Sequence, residues 1–505
     1  MTASQTGHQS TTPTKVTTLP SARQHRSTPI SSTPADLSEA CAEILYGEIC
    51  QRDSNLASRS GKLYEWVGDH WALQDDDLNE RRALRWLQGS ARKRANIEAA
   101  RSCVKTAASM VDPVPPKPAH LIVPVNDTWL VQTQGQWLAQ TPDRNVGVCH
   151  RVASEHAIPL GPYMPQPVPA QSLFGRFLDR SLPDKAVQAM VQEYIGYSLT
   201  ASTAMQLAQM WVGAGSNGKS VLLNIVRALH AKAVAMRLDK LDGFDLTALA
   251  GASLVTCDEM PRGGINQQAL KSLISGGAVE INPKYRESFT YSPTAKWIVC
   301  GNHVPLITDH SHGWWRRFQI VEWTVQLKGS DIIANLDSLI IDNELHIVLD
   351  WALEGLSRVI ARNFREGVLP APMVKARQNA IAQTNNMQSW VEDCGVVCRP
   401  GKYTDKTALW NHYVEYCKKG YSACHVSQFY LRLAPMFPSM HEIRQVVGSG
   451  EAKRRARCVD LVVGQFDSAV PAEDKPEQVE EAFDPFSEIV AQALAIPQIP
   501  ANSME

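Results

Sequence analysis

The sequence predicts an α/β protein, and three observations predict it. An apolar run at 207–212 passes through a glycine-rich octapeptide into a helical pattern. A second apolar run, from Ala252, ends in two adjacent carboxylates, Asp258 and Glu259. Across residues 166–330, strand-like and helix-like patterns alternate, the signature of a sheet with crossover helices.

The octapeptide reads Gly213, Ala214, Gly215, Ser216, Asn217, Gly218, Lys219, Ser220, a full match to G-x-x-x-x-G-K-[ST] in its strand–loop–helix setting. Glycines at 213, 215 and 218 let backbone amides approach phosphates, and the following helix start favours negative charge. In such a loop Lys219 reaches the β and γ phosphates of ATP and Ser220 holds Mg²⁺. Asp258 is placed to take part in holding that ion, and Glu259 to orient and deprotonate the attacking water. Asn302, at the end of the apolar run 295–300, is either a γ-phosphate sensor or a turn former. Arg316 and Arg317 precede another strand; the pair is either solvated or supplies a finger to a neighbouring subunit's nucleotide.

At 505 residues the chain is too long for one domain. Residues 1–35 carry 15 Ser/Thr, 4 Pro, three basic groups and no acid, a composition that predicts disorder. An acid-free, Arg- and Ser-bearing start also suits a transit peptide, although it lacks an amphipathic helix. It has no basic-then-apolar layout of a secretion signal, and no apolar run is long enough to span a membrane. Eleven cysteines in such a chain read as reduced thiols. Residues 36–165 combine a helical pattern at 37–50, a β-hairpin at 61–71, a helical stretch at 78–110 and a β pattern at 129–137, an α+β accessory domain. Residues 166–386 hold the P-loop core and a closing helix near 340–364.

The net charge of −1 argues against a generally basic surface, but the charge is uneven. Residues 399–458 hold 11 Lys/Arg against 4 Asp/Glu, whereas 467–505 hold nine acids and one Lys. Residues 387–466 show three helix patterns followed by a basic β-ribbon, the order of a winged helix. Lys453, Arg454, Arg455 and Arg457 would lie along the wing as phosphate contacts, or as a solvated loop. Cys394, Cys398, Cys417, Cys424 and His425 lack a tight C-x-x-C and read as structural thiols before a zinc site. The acidic tail 467–505 is predicted to be disordered; its Phe483, Phe486, Ile489, Val490 and Leu494 are either a docking peptide for a replication partner or part of a solvating tail.

Taken together, 213–220, 254–259, 271–284, 297–302 and 314–318 resemble the Walker A, Walker B, superfamily-specific, sensor and arginine-finger motifs of superfamily 3 helicases, in particular the phage, plasmid and poxvirus-type primase-helicase group. The resemblance extends over about 37–465 and implies an AAA+-like ATPase that assembles as a ring, a hexamer, with nucleotide between subunits. It implies single-stranded DNA in a central channel, gripped by a hairpin between Lys271 and Asn302, with Lys271, Lys284 and Arg286 as contacts and duplex at the winged helix. It further implies 3′-to-5′ movement and work in the cytoplasm of a bacterial or phage-infected cell. The family's upstream primase is not evident, because the acidic run Asp75, Asp76, Asp77 reads as a helix-start cluster. Three functions stay open: a helicase for a mobile element's replication, a primase-helicase with an unrecognised priming site, and an ATP-switched origin-binding or DNA-sensing assembly that does not unwind.

Overall fold

The computed structural model describes residues 41–464 apart from 155–156, 242, 244, 262–264, 285, 306, 308–310, 330–331, 385, 419–422 and 448–452. The Ser/Thr-rich start and the acidic tail with Phe483 lie outside the described residues. The chain is mixed α/β and divides into two compact units, Met1–Asn385 and Asn386–Glu505.

The first unit begins with α1 (Ala42–Arg52) and an antiparallel meander of β1 (Leu56–Arg59), β2 (Lys62–Trp66) and β3 (Trp71–Leu73). Ser60 and Gly61 both have positive φ, which is the twist a two-residue hairpin turn requires. The helical stretch expected at 78–110 is two helices, α2 (Asp76–Ser90) and α3 (Ile97–Met110). Each has its own N-cap: Asp75 accepts from the Leu78 amide at 3.0 Å, and Asn96 from the Ala99 amide at 2.9 Å. A cap side chain inside an apolar period starts a new helix, and here it does so at Asn96.

Next comes an antiparallel sheet of β4 (Ile122–Val125), β5 (Thr128–Thr133), β6 (Gln136–Gln140) and β7 (Gly161–Tyr163). Its inward residues, among them Val123, Leu130 and Trp137, share one core with Phe174, Tyr194, Trp211 and Leu349. No break in packing therefore separates the residues on either side of position 165.

The centre is a five-stranded parallel sheet: β8 (Ala208–Val212), β9 (Ala233–Ala235), β10 (Leu254–Cys257), β13 (Lys296–Gly301) and β14 (Phe318–Glu322), in the order β14-β8-β13-β10-β9. Side chains alternate between its faces. Leu207 and Trp211 join the core with α4 (Leu173–Ser181), α5 (Lys185–Ser198), α6 (Lys219–Ala228) and α9 (Leu336–Ala361). Ala208 and Met210 join a second core with α7 (Gln267–Ile274) and α10 (Ala371–Thr384). Both faces being covered, the strands read as continuous apolar runs. Gln209 is tolerated inside because its amide donates to Gln319 of β14 at 2.9 Å and its carbonyl accepts from the Trp211 indole at 2.9 Å.

Helices α5 and α9 cross backbone to backbone. A Cβ on Gly196 would sit 2.2 Å from the Ala352 carbonyl oxygen, and one on Gly355 2.5 Å from that of Gln192. Beside the crossing, buried Glu193 accepts from Arg358 at 3.0 Å and from Arg362. A short antiparallel hairpin, β11 (Val279–Ile281) with β12 (Phe289–Tyr291), and the single-turn α8 (His312–Trp315) complete this unit.

The second unit has α11 (Asn386–Asp393), α12 (Lys406–Cys417) and α13 (Val426–Met436) around Trp390, Tyr413 and Phe429, whose rings stack within 4.9–5.6 Å. Strands β16 (Thr404–Asp405), β17 (Glu442–Val447) and β18 (Arg454–Val459) form a sheet in the order β16-β18-β17, and β15 (Val397–Cys398) pairs with β19 (Leu461–Val462). Cys394 and Cys417 are buried in this unit's core, with Cys398 and Cys424 half-buried against it. Among the described residues no helix is long and apolar enough to cross a membrane.

Burial, with a smaller contribution from the nearby Lys296 ammonium, holds the imidazoles of His150 and His230 down to about 3. His230 is satisfied as a neutral ring by Ser198 at 3.1 Å and Ser253 at 2.9 Å. Unfolded, both rings take up protons near pH 6.5, so the unfolded chain binds more protons between about 6.5 and 3 and stability falls with pH across that window. Unfolding free energy, followed by urea titration, is expected to drop by roughly 2–4 kcal/mol between pH 6.5 and 5 from this pair. His230→Asn should cut the pH slope by about half; an unaltered slope would contradict the assignment.

Candidate nucleotide site and basic surfaces

Strand β8 runs into the glycine-rich loop and out into α6. Gly215 and Gly218 have φ of +99° and +89°, which a side chain would strain, and Ser216 also sits at positive φ. A Cβ on Gly218 would lie 2.8 Å from the Phe177 ring and 2.6 Å from the Ser181 hydroxyl, so α4 packs directly on the loop. Asn217 ties the loop down from inside: its amide donates to the Trp323 carbonyl at 3.2 Å. The Lys219 ammonium donates to the Gly213 carbonyl at 2.7 Å and to Asn217 Oδ1 at 3.0 Å. Both acceptors are neutral, and burial lowers the lysine's pKa from its ordinary value. Ala214 and Ser220 are exposed.

Register fixes what stands beside the loop. Cys257 pairs with Val299, and Val299 with Met210, so Asp258 follows at the level of Trp211 and Glu259 at the level of Val212. Two strand spacings, about 10 Å, separate β10 from β8. Between them, Gly301 pairs with Val212 and accepts from the Gly213 amide at 3.1 Å, which sets the exposed Asn302 beside the loop. The Cys300 thiol lies between the two charges: burial pushes it up to about 12, Asp258 adding to the rise and Lys219 opposing it. Asp258 and Glu259 are exposed, and among the described residues Asp258 has one loose ion-pair partner, Arg227 of α6, at 3.6 Å. In water a pair this open contributes about 0–1 kcal/mol, so the carboxylate is available to a cation.

A pocket of about 230 Å³ opens beside the loop, lined by Ser216, Gly218, Val221, Phe177, Leu327 and Ile333 among others. Its apolar wall is suited to a flat base. Phe177, Ile333 and Arg227 were not singled out from sequence, because only packing brings them to the loop.

Arg316 and Arg317 stand at the other end of the sheet. Phe318 pairs with Ala208, so both arginines precede the first residue of β8, roughly 17 Å from the loop at about 3.3 Å per residue. Arg317 is braced within its own chain, donating to the Ser275 hydroxyl at 3.1 Å and to the Gly313 carbonyl. Arg316 is exposed and donates to Gln206 at 2.9 Å.

The hairpin residues divide. Lys284 is exposed in the β11–β12 loop, and Lys271 is half-buried on α7. Arg286 departs from its expected place as a backbone contact for DNA. Its guanidinium meets Asp76 at 3.0 Å, Glu80 at 3.0 Å and also Asp77, and its side chain is 20% exposed. Its charge is matched within the chain, by carboxylates at the start of α2 that lie more than 200 residues upstream.

On the second unit, Arg444 pairs with Arg457 and Val446 with Arg455, so Arg444, Arg455 and Arg457 share the outward face of the β17–β18 ribbon while Ala456 and Cys458 turn inward. Arg457 has a distant contact to Glu442 at 3.8 Å, Arg454 is tied to Asp405, and Lys453 is exposed. Arg444 was missed from sequence because its place opposite Arg457 depends on strand register.

A family of unknown function, DUF5906, matches residues 211–317, the span from the end of β8 through the carboxylate pair to the arginines. Among solved structures, the chain is similar to the apo C-terminal region of NrS-1. One form is 14% identical over 67% of this chain and 94% of that one, with a TM-score of 0.35. A second is 13% identical over 69% and 95%, at 0.34, and a third 13% identical over 83% and 99%, at 0.40.

Removing the Arg286 guanidinium takes away the cation shared by Asp76, Asp77 and Glu80, with Lys62 left on Asp76 and Arg101 on Glu80. Arg286→Ala is expected to lower unfolding free energy by on the order of 1–2 kcal/mol and to speed proteolysis at 282–288. Limited proteolysis with a thermal melt checks this, and unchanged cleavage would show that the cluster does not hold the hairpin.

Proposed function

We propose that this chain is an ATP hydrolase of the superfamily 3 helicase type, an AAA+-like motor that unwinds DNA for a phage, plasmid or other mobile element, acting in the cytoplasm. The observation that carries the reading is the alignment of Lys219, Ser220, Asn302, Asp258 and Glu259 along one edge of the parallel sheet, at the carboxyl ends of its strands. Ligands of open α/β sheets bind along this edge.

The residues suit a magnesium-bound triphosphate. Ser220 is exposed, Asp258 is only loosely engaged, and among the described residues the ammonium of Lys219 has no anionic hydrogen-bond partner. When bound, Mg²⁺ supplies charge neutralisation at the phosphates through Ser220 and Asp258. Lys219 and the loop amides hold the β and γ phosphates. Glu259 takes the proton of the attacking water, and Asn302 positions that water against the γ-phosphate. Phe177 and Ile333 pack on the base.

Arg316 and Arg317 are too far from their own loop to serve it, which favours action on a neighbouring subunit and hence a ring, with six subunits the natural count for this class. Single-stranded DNA would pass the β11–β12 hairpin with Lys271 and Lys284 as contacts. The second unit has the element order of a winged helix and would hold duplex through Arg444, Arg455 and Arg457, with Lys453 at the ribbon's end. A second reading, an ATP-switched DNA-binding assembly without unwinding, draws support from Arg286 being held by its own chain rather than presented to a strand.

Glu259→Gln should keep ATP affinity within about threefold while turnover falls at least 100-fold, and Lys219→Ala should lose both binding and turnover. ATPase assays with forked-duplex displacement check this: turnover surviving in Glu259→Gln sinks the assignment, and DNA-stimulated turnover without displacement selects the switch.

Duplex binding gives an independent check on the ribbon. Arg455→Ala with Arg457→Ala should reduce the slope of log K against log salt by about 1.8, roughly 0.9 per phosphate contact. An unaltered slope would remove the ribbon from the interface.

A further inference from the structure

A second cavity, of about 760 Å³, lies in the first unit between the β1–β2 turn, the 117–122 segment and β12. Residues 201–204, 251–252, 292 and 294 also line it, and these lead into β8, β10 and β13. The cavity is therefore at the amino ends of the parallel strands, and the glycine-rich loop is at their carboxyl ends. The two sites are separated by the length of the sheet.

Its chemistry is one-sided. No Asp or Glu is among its lining residues, whereas Arg59, Lys62 and Lys117 are, with His120. Lys62 is neutralised by Asp76 at 2.6 Å, its ammonium 4.5 Å from the Phe289 ring centre. Arg59 has no such match: its guanidinium donates to the Cys149 thiol and the Pro115 carbonyl, both at 3.3 Å, and stands 5.8 Å from the Tyr64 ring centre. Lys117 is exposed at the rim. Two cations without carboxylate partners among the described residues, in a cleft whose lining holds no acid, attract an anion more strongly than the same charges on an open surface. Tyr64, Phe289, Tyr291 and Phe364 also line the cleft and give it aromatic surface, and the Tyr291 hydroxyl accepts from the Gly251 amide at 2.9 Å. The volume falls within the range of about 300–1,000 Å³ typical of small-ligand sites.

We propose that this cleft binds a nucleoside phosphate, with the phosphate on Arg59 and Lys117 and the base against the aromatic surface. The shared chemistry belongs equally to one nucleotide of a single strand and to a free nucleotide. The cleft does not depend on hydrolysis at the glycine-rich loop, so it stands or falls separately from the motor reading.

The test uses the full chain carrying Lys219→Ala, which disables the loop, and two probes: a fluorescent oligothymidylate and fluorescent ATP. Arg59→Ala with Lys117→Ala is expected to raise Kd at least tenfold for one of them. Loss for the oligonucleotide, with a salt slope reduced by about 0.7, the value for one phosphate contact on a single strand, identifies a strand path. Loss for ATP alone identifies a free-nucleotide site. Lys117→Glu, at the exposed rim, repeats the measurement without disturbing the interior, and ATP binding at the loop of the Arg59/Lys117 variant with Lys219 intact reports its folding. Binding of neither probe by the Lys219→Ala chain, or Kd values within twofold after these substitutions, overturns the proposal.

Discussion

Parallel pairing of β8 with β13 on one side and β14 on the other is the constraint from which the candidate site follows. With Val212 held level with Gly301 and Glu322, the loop after β8 and the Asn302 turn must emerge side by side. Pairing of β13 with β10 brings Asp258 and Glu259 to the same edge. A slip of one residue would turn every buried side chain to the opposite face, so the two cores covering the sheet are what hold the site in register. The buried Gln209–Gln319 bond adds a polar check on the same register, since misalignment would leave both amides unpaired in an apolar interior.

The same geometry sorts the charges. Arg316 and Arg317 precede β14 and so are confined to the amino edge, as is the acid-free cavity beside Arg59. The carboxylate pair and the glycine-rich loop occupy one edge, and Arg316, Arg317 and the cavity beside Arg59 lie at the other. The Arg286 cluster clamps the hairpin to α2 and adjoins the cavity through Asp76, which also pairs with Lys62.

Local chemistry was legible in the chain; long-range partnership was not. The glycine-rich loop could be read directly because three glycines, a lysine and a serine in eight residues have few other uses, and the end of β10 because two carboxylates terminate an apolar run. Helix caps were less visible: Asn96 divided a stretch that periodicity alone joined. Arg286 could not be read correctly, since its partners Asp76, Asp77 and Glu80 lie more than 200 residues away and a basic hairpin looks the same whether it faces solvent or acids. Phe177, Arg227 and Arg444 carry no local signal; packing and cross-strand register alone place them.

Helix α9 has a mechanical consequence. Its 26 residues extend about 39 Å at 1.5 Å per residue. Leu336 at one end lines the pocket beside the phosphate loop, and near the other Ser357 accepts from Gln132 of β5 and Trp137 of β6 at 3.0 Å. Where α9 meets α5 through Gly196 and Gly355, no side-chain cushion absorbs movement. The helix is thus a stiff strut fixed near one end, and because Ser357 sits beside that fixed point, a tilt imposed at the pocket end would leave the antiparallel sheet nearly in place.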